Sequence, residues 1–336
     1  MISFLLSLFK RNHFTGVLSD TRPQEEKDQD VLHEEVASGT GITWTVKQQS
    51  DWKKYPKRDQ DGSGSCVAHS NAHATGIERL TFKILSALDI YDRRSNKPQE
   101  GMIPIQGIKI TCDHGVIPES LLPSQYMSEY EMNQQVIRTP DMIAQAEEFK
   151  GGTPITLPID IDAIAQVLDQ GQPVLLCLSA DTSEWNSFPQ MTAYSLNMRH
   201  NVTVVDRTIY QDQKCLIVDD SFMVNTTING EGQRIISEDF ILKRAFFAGY
   251  KKIIPPPQPI PKPNHIFTID MRFGDRNNEV TALQDRLKSE GFFPNIPSTG
   301  YFGSISKKAV VAYQTKHNIP STGFCGPLTR SALNNT

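Results

Sequence analysis

The residues Gln60–Asp61–Gly62–Ser63–Gly64–Ser65–Cys66 form a Gly/Ser loop that runs into a stretch with apolar residues at helical spacing. A cysteine at such a junction lies among unpaired backbone N–H groups and at the positive end of a helix dipole, where negative charge on sulfur is favoured. The same N–H groups, with the Gln60 side-chain amide, can hold the oxyanion formed when a carbonyl is attacked. A thiol nucleophile needs a base, and the base needs an orienting group. His200 opens the apolar run HNVTVVD, and Asp219–Asp220 close the run KCLIVDD, so these residues stand at the ends of two candidate strands.

Other readings compete for the same residues. Cys66, His69 and His73 are spaced by three and four along one helix, which could supply three zinc ligands. A zinc site would have no use for the glutamine and the Gly-Ser pair ahead of the cysteine, so His69 and His73 are read as helix residues with satisfied ring nitrogens. His114, before a glycine, reads as a turn or cap residue. Trp52 and Trp185 fit either a core or a groove. The five cysteines are widely spaced, with no CxxC pair and no disulfide framework. Cys177 and Cys215 sit in apolar runs as buried strand residues. No cofactor or metal is implied.

The elements that must position these groups follow from patterning. The stretch after Cys66, through Tyr91, predicts one helix, and Asp160–Gln170 a second that stops at Gly171. Short apolar runs then follow (PVLLCLS, NVTVVD, KCLIVDD, QRIIS), separated by turn residues. A helical half followed by a strand-rich half predicts an α+β domain whose two parts face each other. Residues 253–264 hold six prolines within positions 255–263, a stiff polyproline spacer. Beyond it, three short helices with Gly-containing loops at 298–303 and 321–326 predict an all-α module of about 65 residues, enough to fold alone. The expected order is an N-terminal extension (1–40), an α+β domain (41–250), a proline-rich tether (251–266) and the helical module (267–336). Residues 1–9 are apolar but too short for a bilayer span, and they lack the charge and cleavage pattern of an export signal. Residues 20–36 read as an extended polar arm.

Of 336 residues, 38% are hydrophobic and 21% charged, an ordinary soluble composition. The net charge of -4 is uneven, because residues 267–336 carry eight Lys/Arg against five Asp/Glu. A basic tail beside an acidic body fits attraction to an anionic polymer. Nothing points to nucleic acid, a stable membrane span or a partner chain, so a monomer is expected.

The region 44–250 resembles the papain family of cysteine peptidases. The resemblance rests on Gln60, on Gly64–Ser65–Cys66 with the small residues Ala68–His69–Ser70 after it, and on Asp51–Trp52 upstream. It extends to His114–Gly115–Val116–Ile117–Pro118–Glu119, to the helix and Gly171–Pro173–Val174 before the strands, and to Gly230–Glu231–Gly232–Gln233–Arg234. It implies Cys66 as nucleophile, His200 as base and then acid, Asp220 as orienting group and Gln60 in the oxyanion hole. Ser63 stands where many secreted members have a disulfide cysteine, and Val67 where an aromatic follows the nucleophile. Asp220 stands where the family has asparagine, with Asp219 the alternative if the register slips by one. Phe222 stands where a tryptophan shields that hydrogen bond.

Residues 273–334 resemble peptidoglycan-binding-like domains through Val280, Leu283–Gln284, Leu287, Gly291–Phe292, Thr299–Gly300–Tyr301–Phe302–Gly303, Ala309–Val310, Tyr313–Gln314, Gly323, Gly326, Thr329 and Leu333. Tyr301, Asn318 and the loop near Phe324 are its candidate surface contacts. Together the two resemblances imply a thiol hydrolase held at the bacterial cell wall, at the cell envelope or outside the cell, with release by lysis one route there. It would cut wall-associated protein or the peptide stem of peptidoglycan. The alternative is a wall-binding structural protein whose papain-like domain no longer catalyses. About 40 residues before the catalytic domain are short for an inhibitory propeptide of the family, which implies an active single chain or control by another route.

Overall fold

The computed structural model describes residues 16–35, 41–47, 58–78, 83–180, 185, 198–222, 233–253, 265–294 and 296–335. Residues 1–9, Asp51–Trp52, Gly230–Gly232 and the proline run lie outside them. The chain divides into two units, one of Met1–Thr21 with Gly41–Lys251, the other of Arg22–Thr40 with Lys252–Thr336.

In the first unit the Gly/Ser loop leads into helix α1, Cys66–Glu78. Every residue from Cys66 to Ile77 is buried, so α1 is an internal helix with no solvent face. The single helix expected through Tyr91 is instead interrupted. The missing side chain of Gly76 lets the Lys83 carbonyl approach, since a Cβ there would stand 2.7 Å from that oxygen. Ser86 then caps α2, Ala87–Asp92, by accepting a hydrogen bond from the Asp89 N–H. Helix α3, Pro104–His114, follows and ends at Gly115. His114 closes its last turn. Gly115 has φ 66°, and a Cβ would fall 1.8 Å from the Ala146 carbonyl oxygen. Gly115→Ala is therefore expected to cost on the order of 3 kcal/mol, read as a lower denaturation midpoint.

The strand half is one antiparallel-rich sheet. Its strands are β1 (Thr153–Leu157), β2 (Val174–Ala180), β3 (Met198–Tyr210), β4 (Gln213–Asp219), β5 (Gln233–Ser237) and β6 (Ala245–Lys252). They lie in the order β1-β6-β2-β3-β4-β5. β1 and β6 are additional to the four runs expected from patterning and take their places beside those strands in the sheet. The helix Ile161–Asp169 precedes β2, capped by Asp160 as its sequence suggests. β6 runs to Lys252, two residues into the stretch that composition assigns to the tether. The cause is Lys251, whose buried ammonium pairs with Glu78 on α1 at 3.1 Å.

Helix α1 docks on the sheet through polar joints within apolar packing. Ser70 Oγ donates to the Asn201 carbonyl at 2.9 Å, and Thr203 Oγ1 donates to the Ser70 carbonyl at 3.2 Å. Cys177 and Cys215 are buried in β2 and β4, and all five cysteines are free thiols.

The second unit contains the helices Asn278–Ser289, Ser304–Lys316 and Pro327–Asn335. Val280, Leu283 and Leu287 fill its core. Two buried glutamines each hold a glycine turn. Gln284 Oε1 accepts from the Gly300 N–H and its Nε2 donates to the Tyr301 carbonyl; Gln314 Oε1 accepts from Gly323 N–H and its Nε2 donates to the Phe324 carbonyl. The repeated STG loops at 298 and 321 are thus built alike. Residues of the polar arm belong to this unit: Ser304 Oγ donates to the Asp30 carbonyl, and Arg276 pairs with Glu34. The arm is consequently not free, because the module supplies partners for its backbone and charges. Among the described residues no helix is long and apolar enough to cross a membrane.

Candidate active site

Cys66 occupies the first position of α1, and its side chain is 1% exposed. The loop ahead of it is fixed from several directions. Ser63 Oγ donates to the Gln60 carbonyl at 2.7 Å, and the Gly64 N–H donates to Glu129 Oε2 at 2.8 Å. The Gln60 side chain is buried, with Oε1 accepting from Ser221 Oγ and Nε2 donating to the Ser63 carbonyl, both at 2.8 Å. One hydrogen of that NH₂ remains for another acceptor.

His200 lies near the start of β3, and Asp220 immediately follows β4. The two strands pair antiparallel with Thr203 opposite Asp219, which brings the start of β3 beside the end of β4. His200 Nε2 meets Asp220 Oδ1 at 2.6 Å, and the Cys66 thiol is within hydrogen-bonding contact of the same imidazole. With Nε2 engaged by the carboxylate, Nδ1 is the ring nitrogen left for sulfur. Successive side chains of a strand point to opposite faces, so only one of the adjacent aspartates can reach His200. Asp219 turns the other way, to His73 on α1 at 2.7 Å.

Electrostatics favour the charged pair. Burial works against the imidazolium, but the Asp220 carboxylate, its hydrogen bond and the Cys66 contact outweigh it and raise His200 to about 10. Burial likewise works against the Asp220 carboxylate, yet the charges and hydrogen bonds of His200 and Arg234 lower it to about 2. His69 is fully buried with neither ring nitrogen hydrogen-bonded. Burial, then Arg58 and His73, push it well below the usual histidine range, so it is neutral. Among the described residues no group of three or more His, Cys, Asp and Glu is arranged to hold a metal.

Two side chains, Trp185 and Arg234, and one backbone segment join the site without being assigned to it by the sequence. Trp185 is fully buried, donates from Nε1 to Asp220 Oδ2 at 2.9 Å, and packs edge-on against His200 with centroids 5.9 Å apart. Phe222 packs edge-on against His200 at the same separation, so two aromatics flank the imidazole. Arg234, on β5, donates from Nε to Asp220 Oδ2 at 2.8 Å. Its signal was an arginine inside an otherwise apolar strand, QRIIS.

The third feature is the N-terminal segment. A Cβ on Gly16 would stand 2.5 Å from Cys66 Sγ and 2.8 Å from the Gly64 carbonyl oxygen. The Met102 N–H donates to the Gly16 carbonyl and the Leu18 N–H to the Met102 carbonyl, each at 3.0 Å. Val17 is buried among Cys66, Val67 and Met102. Residues 16–18 therefore lie directly over the sulfur. The bare glycine is what allows the backbone to approach the thiol this closely.

In the second unit, Phe324 and Leu328 border a shallow groove of about 170 Å³ with Ile319, Pro320 and Pro327. Tyr301 lies beneath the Arg276 guanidinium, 4.6 Å from its ring centroid. Asn318 takes a left-handed turn conformation after its helix (φ 56°) and does not line the groove.

Residues 276–333 match the family model described as putative peptidoglycan binding domain. No curated protein matches the sequence. Among solved structures the chain is similar to xylellain, a cysteine protease from Xylella fastidiosa, with TM-score 0.55 and 19% identity over 73% of this chain and 98% of that one. It is also similar to digestive procathepsin L 3 of the Tenebrio molitor larval midgut, with TM-score 0.55 and 18% identity over 74% and 79% of the two chains. The chain thus joins a papain-like α+β fold to a small helical peptidoglycan-binding-like domain.

Proposed function

We propose that this chain is a cysteine peptidase or amide hydrolase that works at the bacterial cell wall. The observation that carries the reading is the buried His200 ring, held between the Cys66 thiol and the Asp220 carboxylate. Sulfur, as thiolate, adds to an amide carbonyl carbon. The Cys66 backbone N–H and the second hydrogen of the Gln60 amide receive the oxyanion. The C–N bond then breaks as imidazolium His200 gives its proton to the departing amine, leaving a thioester. Water attacks the thioester, His200 takes the water proton, and the acid and the thiol-bearing enzyme are regenerated. Asp220 keeps the imidazole oriented throughout.

The peptidoglycan-binding-like module raises the concentration of this site at the wall without touching the scissile bond. The substrates that fit are wall-associated protein and the peptide stem of peptidoglycan, and the place of action is the cell envelope or the extracellular side. Labelling with an epoxysuccinyl thiol reagent, after release of the 16–18 segment, is expected to modify Cys66 and to disappear in Cys66→Ala. A folded wild type that gains no adduct even with the segment released would leave the non-catalytic wall protein as the correct reading. Co-sedimentation of the full chain with purified walls is expected to carry it into the pellet; a chain that stays in the supernatant would reduce the module to a spacer.

A further inference from the structure

We infer that Arg234 is a positioning residue of the active site, whose buried guanidinium makes a carboxylate at position 220 workable as the partner of His200. The inference rests on the Cys66–His200–Asp220 reading above and adds a fourth member to it.

The geometry divides the Asp220 carboxylate cleanly. Oδ1 receives His200 Nε2 at 2.6 Å and the Phe222 N–H at 2.9 Å, while Oδ2 receives Arg234 Nε at 2.8 Å and Trp185 Nε1 at 2.9 Å. Four donors fill the acceptor capacity of a carboxylate. The Arg234 and Asp220 side chains are both fully buried. Arg234 is itself clamped, donating to the Trp185 carbonyl at 2.5 Å and to the Phe222 carbonyl at 3.3 Å, with its guanidinium 5.0 Å from the Trp185 ring centroid. It thereby ties together both aromatics that flank His200. Register sets its reach: Val218 pairs with Arg234 across β4 and β5, two residues before Asp220.

Charge explains why the arginine is needed. Among the described residues, the charged or titratable groups that act on His200 are Cys66 from α1 and Asp220, and those that act on Asp220 are His200 and Arg234. Thiolate, imidazolium, carboxylate and guanidinium sum to zero. Without the guanidinium the buried cluster carries one uncompensated negative charge, which is costly. That charge would act on His200, holding its proton more tightly and making it a poorer acid toward the leaving amine. A neutral amide at 220 would need no such counter-charge, so Asp220 and Arg234 together do what one amide could do alone.

The test is a double-mutant cycle at positions 220 and 234, read on a chain with the 16–18 segment released. Arg234→Gln is expected to lower kcat about 10- to 100-fold with less than about threefold change in KM. It should also move the alkaline limb of the pH profile upward. Arg234→Lys, which keeps the charge, is expected to recover part of the loss. Asp220→Asn alone strands the buried guanidinium, and adding Arg234→Gln to it is expected to improve activity about tenfold or more rather than compound the loss. Circular dichroism checks folding, and should Arg234→Gln not fold, the Lys variant and the neutral pair carry the comparison. NMR titration of His200 reads the same coupling without turnover, with its pKa expected to rise in Arg234→Gln. Additive losses in the cycle together with an unmoved His200 titration would overturn the inference. Absence of Cys66-dependent turnover in wild type would count against the peptidase reading alone, since the titration still reports on Arg234.

Discussion

His200→Ala is expected to lower turnover of a peptide amide by about 10³-fold or more, and Cys66→Ala to abolish it, while both variants remain folded. The folding expectation follows from the partners left behind. Removing the imidazole still leaves Asp220 paired with Arg234 and bonded by Trp185 and the Phe222 N–H, so no buried charge is stranded. Removing the sulfur at Cys66 vacates a small volume under Val17 and Met102. Loss of activity with the fold retained, read by circular dichroism, is therefore the expected result, and a variant that keeps more than a tenth of wild-type kcat/KM would remove His200 from the mechanism.

The same pair fixes a dependence of stability on pH. His200 has a higher pKa folded (about 10) than its ordinary value of 6.5, so its contribution is complete below about 6.5 and disappears as pH rises through about 10. Asp220 has a lower pKa folded (about 2) than its ordinary 3.8, so its contribution is complete above about 3.8 and is lost as pH falls toward about 2. The window of full stabilisation lies between about 4 and 6.5. Denaturation midpoints of wild type and His200→Gln should converge as pH rises from 6.5 to 10. Parallel curves over that range would mean that His200 is not held as the imidazolium.

How much of this is legible in the chain depends on how local each determinant is. The Gly/Ser loop, Cys66 and the start of α1 are one continuous stretch, so loop, cap position and dipole can be read together. His200 and Asp220 are marked because a polar residue at the end of an apolar run has few other roles. The choice between Asp219 and Asp220 is different, since it depends on which face of β4 meets α1, and only strand alternation against a docked helix fixes that. Arg234 reaches the site through the pairing of β4 with β5. Trp185 comes from a position 35 residues before Asp220. Neither pairing leaves a trace in spacing. The break after α1 is a further case: apolar periodicity continues to Tyr91, but the carbonyl of Lys83 packs against bare Gly76, and that contact outweighs the local helical pattern. In the second unit Gln284 and Gln314 stand among the pattern residues of the peptidoglycan-binding-like resemblance, but the bonds by which each holds a glycine turn do not show in the spacing. The burial of both side chains is set by the glycine turns they hold.

Gly16→Val is expected to raise the alkylation rate of Cys66 about tenfold or more, an unusual direction for a substitution beside a buried thiol. In the intact chain the sulfur is 1% exposed, and what shields it includes the backbone of residues 16–18. The cover is held by burial of Val17, worth about 2 kcal/mol, and by two hydrogen bonds to Met102 at about 1 kcal/mol each. Ordering three residues costs about 1–2 kcal/mol apiece, so the gain and the cost are of similar size. Such a cover closes the site yet is easily displaced. A valine Cβ would stand 2.5 Å from Sγ and 2.8 Å from the Gly64 carbonyl, and the backbone oxygen cannot move aside without disturbing the loop that Ser63 and Glu129 brace. The segment must therefore lift. Site-resolved mass spectrometry after timed iodoacetamide treatment measures the change at Cys66, with buried Cys177 and Cys215 as internal references. Cleavage within residues 19–21 acts on the same contact by cutting the segment from the rest of the chain, and is expected to give a similar gain. If neither change speeds modification of Cys66, residues 16–18 are not what limits access to the nucleophile.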